Sequence, residues 1–341
     1  VAGALYLVLA LIIKLVGVKR AMRFLPPVVT GPIIICIGLS LAPSAVNNVQ
    51  TNWLLAIIAF AIIVIFNIWG KGMWKIIPIL LGIAGAYAVA LILHFCGITN
   101  PDGSAIFNFA EVAKASWVNV PPFEFCKFDL TAILAMAPIA IASMMEHIGD
   151  IAAISATTGK NYIRDPGLNK TLLGDGLATA MAGLLGGPAN TTYGENTGVL
   201  ALSKIYDPLV IRIAAVLAII LSFSPKFEAV INTIPTGIIG GISFVLYGMI
   251  SAIGVRNVVE NRVDFTNSRN LIVAAVILVC ALGFNSVGGV GFTVGSVTIN
   301  LSGLAVAAIA GILLNAILPG NDYEFDATAG SDAATSGNLQ V

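Results

Sequence analysis

Gly187-Pro188-Ala189-Asn190-Thr191-Thr192-Tyr193-Gly194-Glu195-Asn196 joins two apolar segments of helix length, 171–187 and 189–205. It combines a helix breaker, β-prone residues, glycines and a carboxylate. Irregular polar backbone survives at membrane depth only where protein buries it or where it lines a cavity. An acid in such a place marks a transport pathway. The stretch therefore reads as the site of a membrane transporter.

The rest of the chain supports that reading. Of its 341 residues 58% are hydrophobic and 10% charged, and the mean hydropathy is +0.96, outside the range of soluble globular proteins. Eleven apolar runs can cross a bilayer: 1–18, 26–44, 53–69, 75–95, 129–149, 171–187, 189–205, 208–224, 235–254, 270–285 and 296–317. Alternate threading puts fourteen of the seventeen Lys and Arg on one side, among them Lys19, Arg23, Lys71, Arg164 and Arg262. Only Lys114, Lys127 and Lys226 fall opposite. The first side is then cytoplasmic. Net charge is zero, and nothing points to nucleic acid as a partner. The loop 97–127 is external, and 318–341 reads as a polar cytoplasmic tail. Cys96 and Cys126 flank the external loop, where a disulfide and free thiols both remain open.

Pro26-Pro27-Val28-Val29-Thr30-Gly31 and Pro235-Thr236-Gly237-Ile238-Ile239-Gly240 open two helices alike, with Pro five residues before Gly. An odd number of crossings separates them, so they run in opposite directions, as in an inverted repeat with its site at the repeat interface. The counterparts of Glu146 and Glu195 would lie upstream of Val1. The chain also starts inside a hydrophobic helix, without a Met or a signal peptide. About three crossings are expected to be missing.

Glu146 and Asp150 sit four apart and share a helix face with Ser143. Carboxylates are costly in hydrocarbon, so both are expected to face a protein-lined cavity. Asp150, nearer the cytoplasmic end, also reads simply as solvated. His147 points away from that face and reads as a hydrogen-bonded packing residue; His94 reads as interfacial. Glu195 falls in the first turn of a half-helix that follows a short extended piece, where free N–H groups and the positive dipole end collect. For Asp175, solvation and a role in proton coupling stay open. Tyr247 reads as core. No metal-ligand spacing occurs, and no cofactor is expected beyond protons as the coupling ion. A planar heterocycle with alternating N–H and C=O groups suits the site: its N–H groups would donate to Glu146 and Glu195, and its carbonyls accept from amides near Tyr193 and Gly194. A carboxylate shielded from water can also load and release a proton, which links passage to the proton gradient.

Asn190-Thr191-Thr192-Tyr193-Gly194-Glu195-Asn196-Thr197-Gly198-Val199, with Glu146-His147-Ile148-Gly149 and Arg164-Asp165-Pro166-Gly167-Leu168, closely resembles the nucleobase–ascorbate transporter family, and within it the bacterial uracil permeases. The resemblance spans about residues 1 to 317. It implies an all-α multi-pass membrane protein of the plasma membrane with a 7+7 inverted repeat. Eleven of fourteen segments would be present, with one short strand in a broken helix. Residues 1–18 and 129–224 would form the core domain, 26–95 and 226–317 the gate. By resemblance Glu146, Tyr193, Gly194, Glu195 and Tyr247 bind the base; Glu195, Glu146, Asp150 and Asp175 are the proton-coupling candidates. Uracil or a related nucleobase and the lipid bilayer are the implied partners, with a homodimer open as the assembly. Asp150 stands where uracil symporters carry a histidine, and acids there and at Asp175 are familiar from the xanthine branch.

The alternatives are a xanthine or purine permease, an anion transporter of the same fold, and a passive channel. The anion transporter would require a basic residue at the site, and none occurs between 171 and 203. An enzyme is disfavoured because no nucleophile–base pair lies at depth.

Overall fold

The computed structural model describes residues 1–194, 196–197, 200, 204–294 and 297–320. They form a mostly helical, multi-pass membrane protein. The elements are α1 (Ala2–Val16), α2 (Val18–Phe24), α3 (Pro27–Thr51), α4 (Trp53–Trp69), α5 (Met73–Ile76), α6 (Pro78–Phe95), α7 (Ala110–Lys114), α8 (Leu130–Thr158), a π-type turn (Ile163–Gly167) and α9 (Leu168–Leu184). After the stretch around Gly194 come α10 (Pro208–Ser222), α11 (Pro225–Ile231), α12 (Thr236–Glu260), α13 (Ser268–Ser286), strands β1 (Val290–Val294) and β2 (Val297–Leu301), and α14 (Gly303–Ile317).

Local chemistry sets many of these boundaries. Side chains of Asn52, Asp129, Asp207, Ser224, Asn267 and Ser302 each accept from a backbone N–H in the first turn of the helix they precede. Such caps satisfy donors that a helix end otherwise leaves open. Pro208 and Pro225 then occupy first-turn positions where the missing N–H costs nothing.

Among the described residues, four helices, α3, α6, α12 and α13, are long and apolar enough to cross a membrane, and α10 with α11 makes a broken pair bent by 98°. Three shorter apolar helices, α1, α4 and α14, accompany them. Helix α10 buries none of its residues although it is almost wholly aliphatic. That exposure suits hydrocarbon rather than water.

Three expectations need correction. Ala189–Tyr193 is non-helical but pairs with no strand among the described residues, so the short strand is absent there. The strands that form are an antiparallel hairpin with Val290 opposite Leu301, and its second strand, β2, lies at the start of the run 296–317 assigned in sequence to the last membrane segment. Ser302 caps α14, which begins only at Gly303. Several segments also run longer than expected; α8, for example, continues to Thr158, where Gly159 ends it in the left-handed region (φ 69). Of the segment 189–205, residues 195, 198, 199 and 201–203 lie outside the described residues, as does 321–341.

The chain divides into two compact units. The first comprises Val1–Ser40, Phe123–Gly198 and Met249–Val341. In its core Tyr6, Met145, Leu168, Leu172 and Ile277 are fully buried. Helices α1 and α9 approach closely at Gly3 and Gly176, where an added Cβ would strike Ala180 and Tyr6 respectively. Small residues serve this purpose in membranes, where packing rather than apolar burial holds helices together. The second unit, Leu41–Pro122 and Val199–Gly248, is built around Leu55, Ala59, Ile63, Ala86, Ala90 and Ile238.

Helices α3 and α12 have 25 residues each, and their first residues, 27 and 236, keep the offset seen at their Pro/Gly openings. Their packing repeats as well. Gly31 lies against Val258 in the first unit, and Gly240 against Val49 in the second. Adding the same offset to Gly31 and Val49 gives Gly240 and Val258, so the two contacts are one contact with the partners exchanged. The helix ends match too: Asn48-Val49 and Asn52 correspond to Asn257-Val258 and Asn261.

At Gly254 a Cβ would meet Ile35 N at 2.5 Å and Gly31 O at 2.8 Å, both backbone atoms that cannot yield. Gly254→Val is expected to lower stability by about 1–3 kcal/mol or more. A lower melting temperature of the detergent-purified protein checks this, with Gly248→Val as control, since nothing lies within 4 Å of that position.

Candidate functional site

Helix α8 carries Glu146, His147 and Asp150. Glu146 is half-buried, whereas His147 and Asp150 are each 3% exposed. The solvated reading of Asp150 is thus overturned: the helix continues two turns beyond it, so it does not emerge at that point.

His147 joins three parts of the chain. Its Nδ1 lies 2.7 Å from Thr192 Oγ1 and 3.2 Å from Asp175 Oδ2. Its Nε2 lies 3.0 Å from Thr171 Oγ1. Asp175 and Thr171 belong to α9, one turn apart, and Thr192 belongs to the irregular stretch. The Asp175 side chain is 14% exposed, which excludes a solvated position. Thr192 Oγ1 donates to Asp175 Oδ2 at 3.3 Å.

The irregular stretch is held from several sides. Gly187 N donates to Ala182 O at 2.7 Å and closes the end of α9. Thr179 Oγ1 donates to Asn190 O at 3.2 Å. A helical turn then starts: Asn196 N donates to Tyr193 O at 3.2 Å and Thr197 N to Gly194 O at 3.0 Å. Tyr193 and Gly194 thus stand at a helix start, where backbone N–H groups lack intrahelical partners. Gly194 is pressed against Asp150, and an added Cβ would collide with Asp150 Oδ1. This contact joins the carboxylate-bearing face of α8 to the backbone turn.

Glu146, Asp150, Asp175, Tyr193 and Gly194 are all in the first unit. Tyr193 is 67% exposed. Glu195 lies outside the described residues. Tyr247, on α12, is half-buried and belongs to the second unit.

Two participants were not anticipated. Tyr6 is fully buried and sets its ring edge-on to His147, centroids 6.1 Å apart. Its hydroxyl sits beside Ser143 and Thr191. The signal was the single aromatic residue of the apolar α1. Thr171 gave no signal, because a threonine in an apolar helix ordinarily bonds its own backbone. His94 packs among Phe95, Phe107 and Phe109. All four cysteines are free thiols. No three His, Cys, Asp or Glu side chains come together as a metal site among the described residues.

Buried acids joined to a broken helix, on helices that expose apolar faces, define a membrane transporter of the permease class rather than an enzyme. A family model described as Permease family, that of the xanthine and uracil permeases, matches residues 1–288. The chain belongs to that family. It is 40% identical to the uracil permease of Bacillus subtilis (strain 168), covering 93% of this chain and 74% of the relative. It is 39% identical to the uracil permease of Bacillus caldolyticus, covering 94% and 73%. With the uracil permease of Escherichia coli (strain K12) it shares 33% identity, covering 92% and 72%.

Proposed function

We propose that this chain imports uracil across the bacterial cytoplasmic membrane by proton symport. The observation that carries the reading is the contact of Gly194 with Asp150. It sets a turn with open backbone donors beside a helix face whose acids are shielded from water. Uracil offers N–H groups to Glu146 and Glu195 and carbonyl oxygens to the amides of Tyr193 and Gly194. The three relatives described above are named uracil permeases. Tyr247 is proposed, by the resemblance, as a further base-binding residue, while Glu195, Glu146, Asp150 and Asp175 are the groups among which the coupling proton is held. Besides uracil and the lipid bilayer, a second copy of the chain is compatible as partner.

The 7+7 inverted repeat belongs to the same proposal, supported by the equal lengths of α3 and α12 and by their exchanged glycine contacts. Core (1–18, 129–224) and gate (26–95, 226–317) are proposed as the bodies that move in alternating access.

Labelled uracil uptake by cells expressing the chain is the test. Uptake is expected to fall to background when a protonophore removes the gradient; persistence would favour passive flow. The acids at positions 150 and 175, which the resemblance links to the xanthine branch, favour one second reading, a xanthine permease. Excess xanthine leaves uracil uptake unchanged under the first reading and abolishes it under the second.

A further inference from the structure

Tyr6 is where α1 enters the site. At Gly176 of α9, next in sequence to Asp175, an added Cβ would lie 2.7 Å from the Tyr6 Cβ. The Tyr6 ring stands at 83° to that of His147, centroids 6.1 Å apart, an edge-to-face arrangement. Its hydroxyl lies beside Ser143 of α8 and Thr191 of the irregular stretch. One fully buried side chain thus reaches α8, α9 and the backbone that leads to Gly194. A phenylalanine would fill the apolar part of this space, so the oxygen calls for a reason. The hydroxyls of Tyr6 and Thr191 are both sealed from solvent, and neither completes a hydrogen bond among the described residues. Buried hydroxyls so placed are costly. The cost falls when Thr191 turns toward the phenol, so the pair draws the irregular stretch inward.

We infer that Tyr6 is a positioning residue for base binding: through Thr191 it sets the start of the turn that carries the Tyr193 and Gly194 amides. The inference rests on the proposed transport function. Because none of Tyr6 is exposed, it acts on the base only through the groups it holds.

The spacing in sequence fits that role. Thr191 precedes Tyr193 by two residues and Gly194 by three, while Ser143 lies one turn before Glu146 and His147. The phenol oxygen therefore stands between the two surfaces proposed to grip the base, backbone amides on one and a carboxylate on the other. The stretch is then fixed at three points. Tyr6 lies at its beginning, His147 meets Thr192 in its middle at 2.7 Å, and Asp150 abuts Gly194 at its end. Loss of the first point frees the stretch to shift against the Glu146 face, and misplacement of positioned groups weakens function even when every contacting group is present.

Tyr6→Phe keeps the ring with its contacts to Gly176 and His147 and removes only the oxygen. Its KM for uracil uptake is expected to rise roughly fivefold, the size of one lost hydrogen bond between neutral groups, with the maximal rate and the amount of protein in the membrane near those of the parent. Thr191→Val is expected to raise KM as much, and the double variant no further than either single one, because both remove the same link. A purely structural Tyr6 would instead lower the melting temperature and leave KM where it was. Unchanged KM in Tyr6→Phe, or losses that multiply in the double variant, would overturn the inference. If Tyr6→Phe folds poorly, Thr191→Ser decides against Thr191→Val: the serine, which keeps the hydroxyl, is expected to hold the parental KM, and equal KM values for the two would reject the role. A parent without uracil uptake would sink the transport reading and this role with it, whereas a transporting parent indifferent to Tyr6→Phe sinks the role alone.

Discussion

Glu146→Gln is expected to bring proton-driven uracil uptake to background, about a hundredfold loss or more, while the amount of protein in the membrane stays near normal. A hydrogen bond to a charged group contributes roughly 1.5–3 kcal/mol, and about 1.4 kcal/mol corresponds to tenfold in binding. Lost base recognition alone therefore weakens binding by about tenfold to a hundredfold. The neutral amide also cannot take up or give up a proton, so the coupled cycle stops even where some binding survives. Folding should be spared, because Glu146 is half-buried and glutamine has its shape. Uptake assays paired with membrane immunoblots decide the matter, and normal accumulation by the variant would remove Glu146 from the site.

Gly194→Ala is the second large effect. The new methyl would meet Asp150 Oδ1, a buried group on the continuous helix α8. Neither side can withdraw freely, so the turn that carries the Tyr193 and Gly194 amides must shift. Displacement of positioned groups by about 1 Å can cost around a hundredfold in function. Uracil, which raises the melting temperature of the parent because it binds the folded form, is expected to give no shift with the variant. Combining Gly194→Ala with Asp150→Ala removes the collision and should restore ligand-induced stabilisation. Uptake in the double variant should remain impaired, since a proposed proton-coupling group is gone. Unchanged uracil stabilisation of Gly194→Ala alone would refute the importance of the contact.

The broken helix at Pro188–Gly194 was legible because proline, asparagine and a threonine pair oppose helix by local chemistry alone. Glu146 was legible because an acid in an apolar run is conspicuous. His147 was read correctly as a hydrogen-bonded residue, yet its partners were invisible: Asp175 and Thr192 lie on other elements, and only tertiary packing brings them to one ring. The burial of Asp150 was hidden for a related reason. Hydropathy suggested a helix nearing its end, but α8 continues to Thr158. Strand β2 was taken for the start of a membrane helix, because short apolar runs have the same composition in strand and helix. The Pro/Gly openings at Pro26 and Pro235 were visible, whereas the matching Asn-Val ends acquired meaning only beside the exchanged glycine contacts.

Helix α10 has 15 residues and no side chain sheltered by the protein. At 1.5 Å per residue it is about 22 Å long, against a hydrocarbon layer of about 30 Å. The chain then turns by 98° instead of continuing outward. Lipids along that flank must shorten to match it, at a modest cost per ångström of mismatch. This flank therefore favours thin bilayers, and acyl-chain length becomes a lever on the protein independent of any ligand.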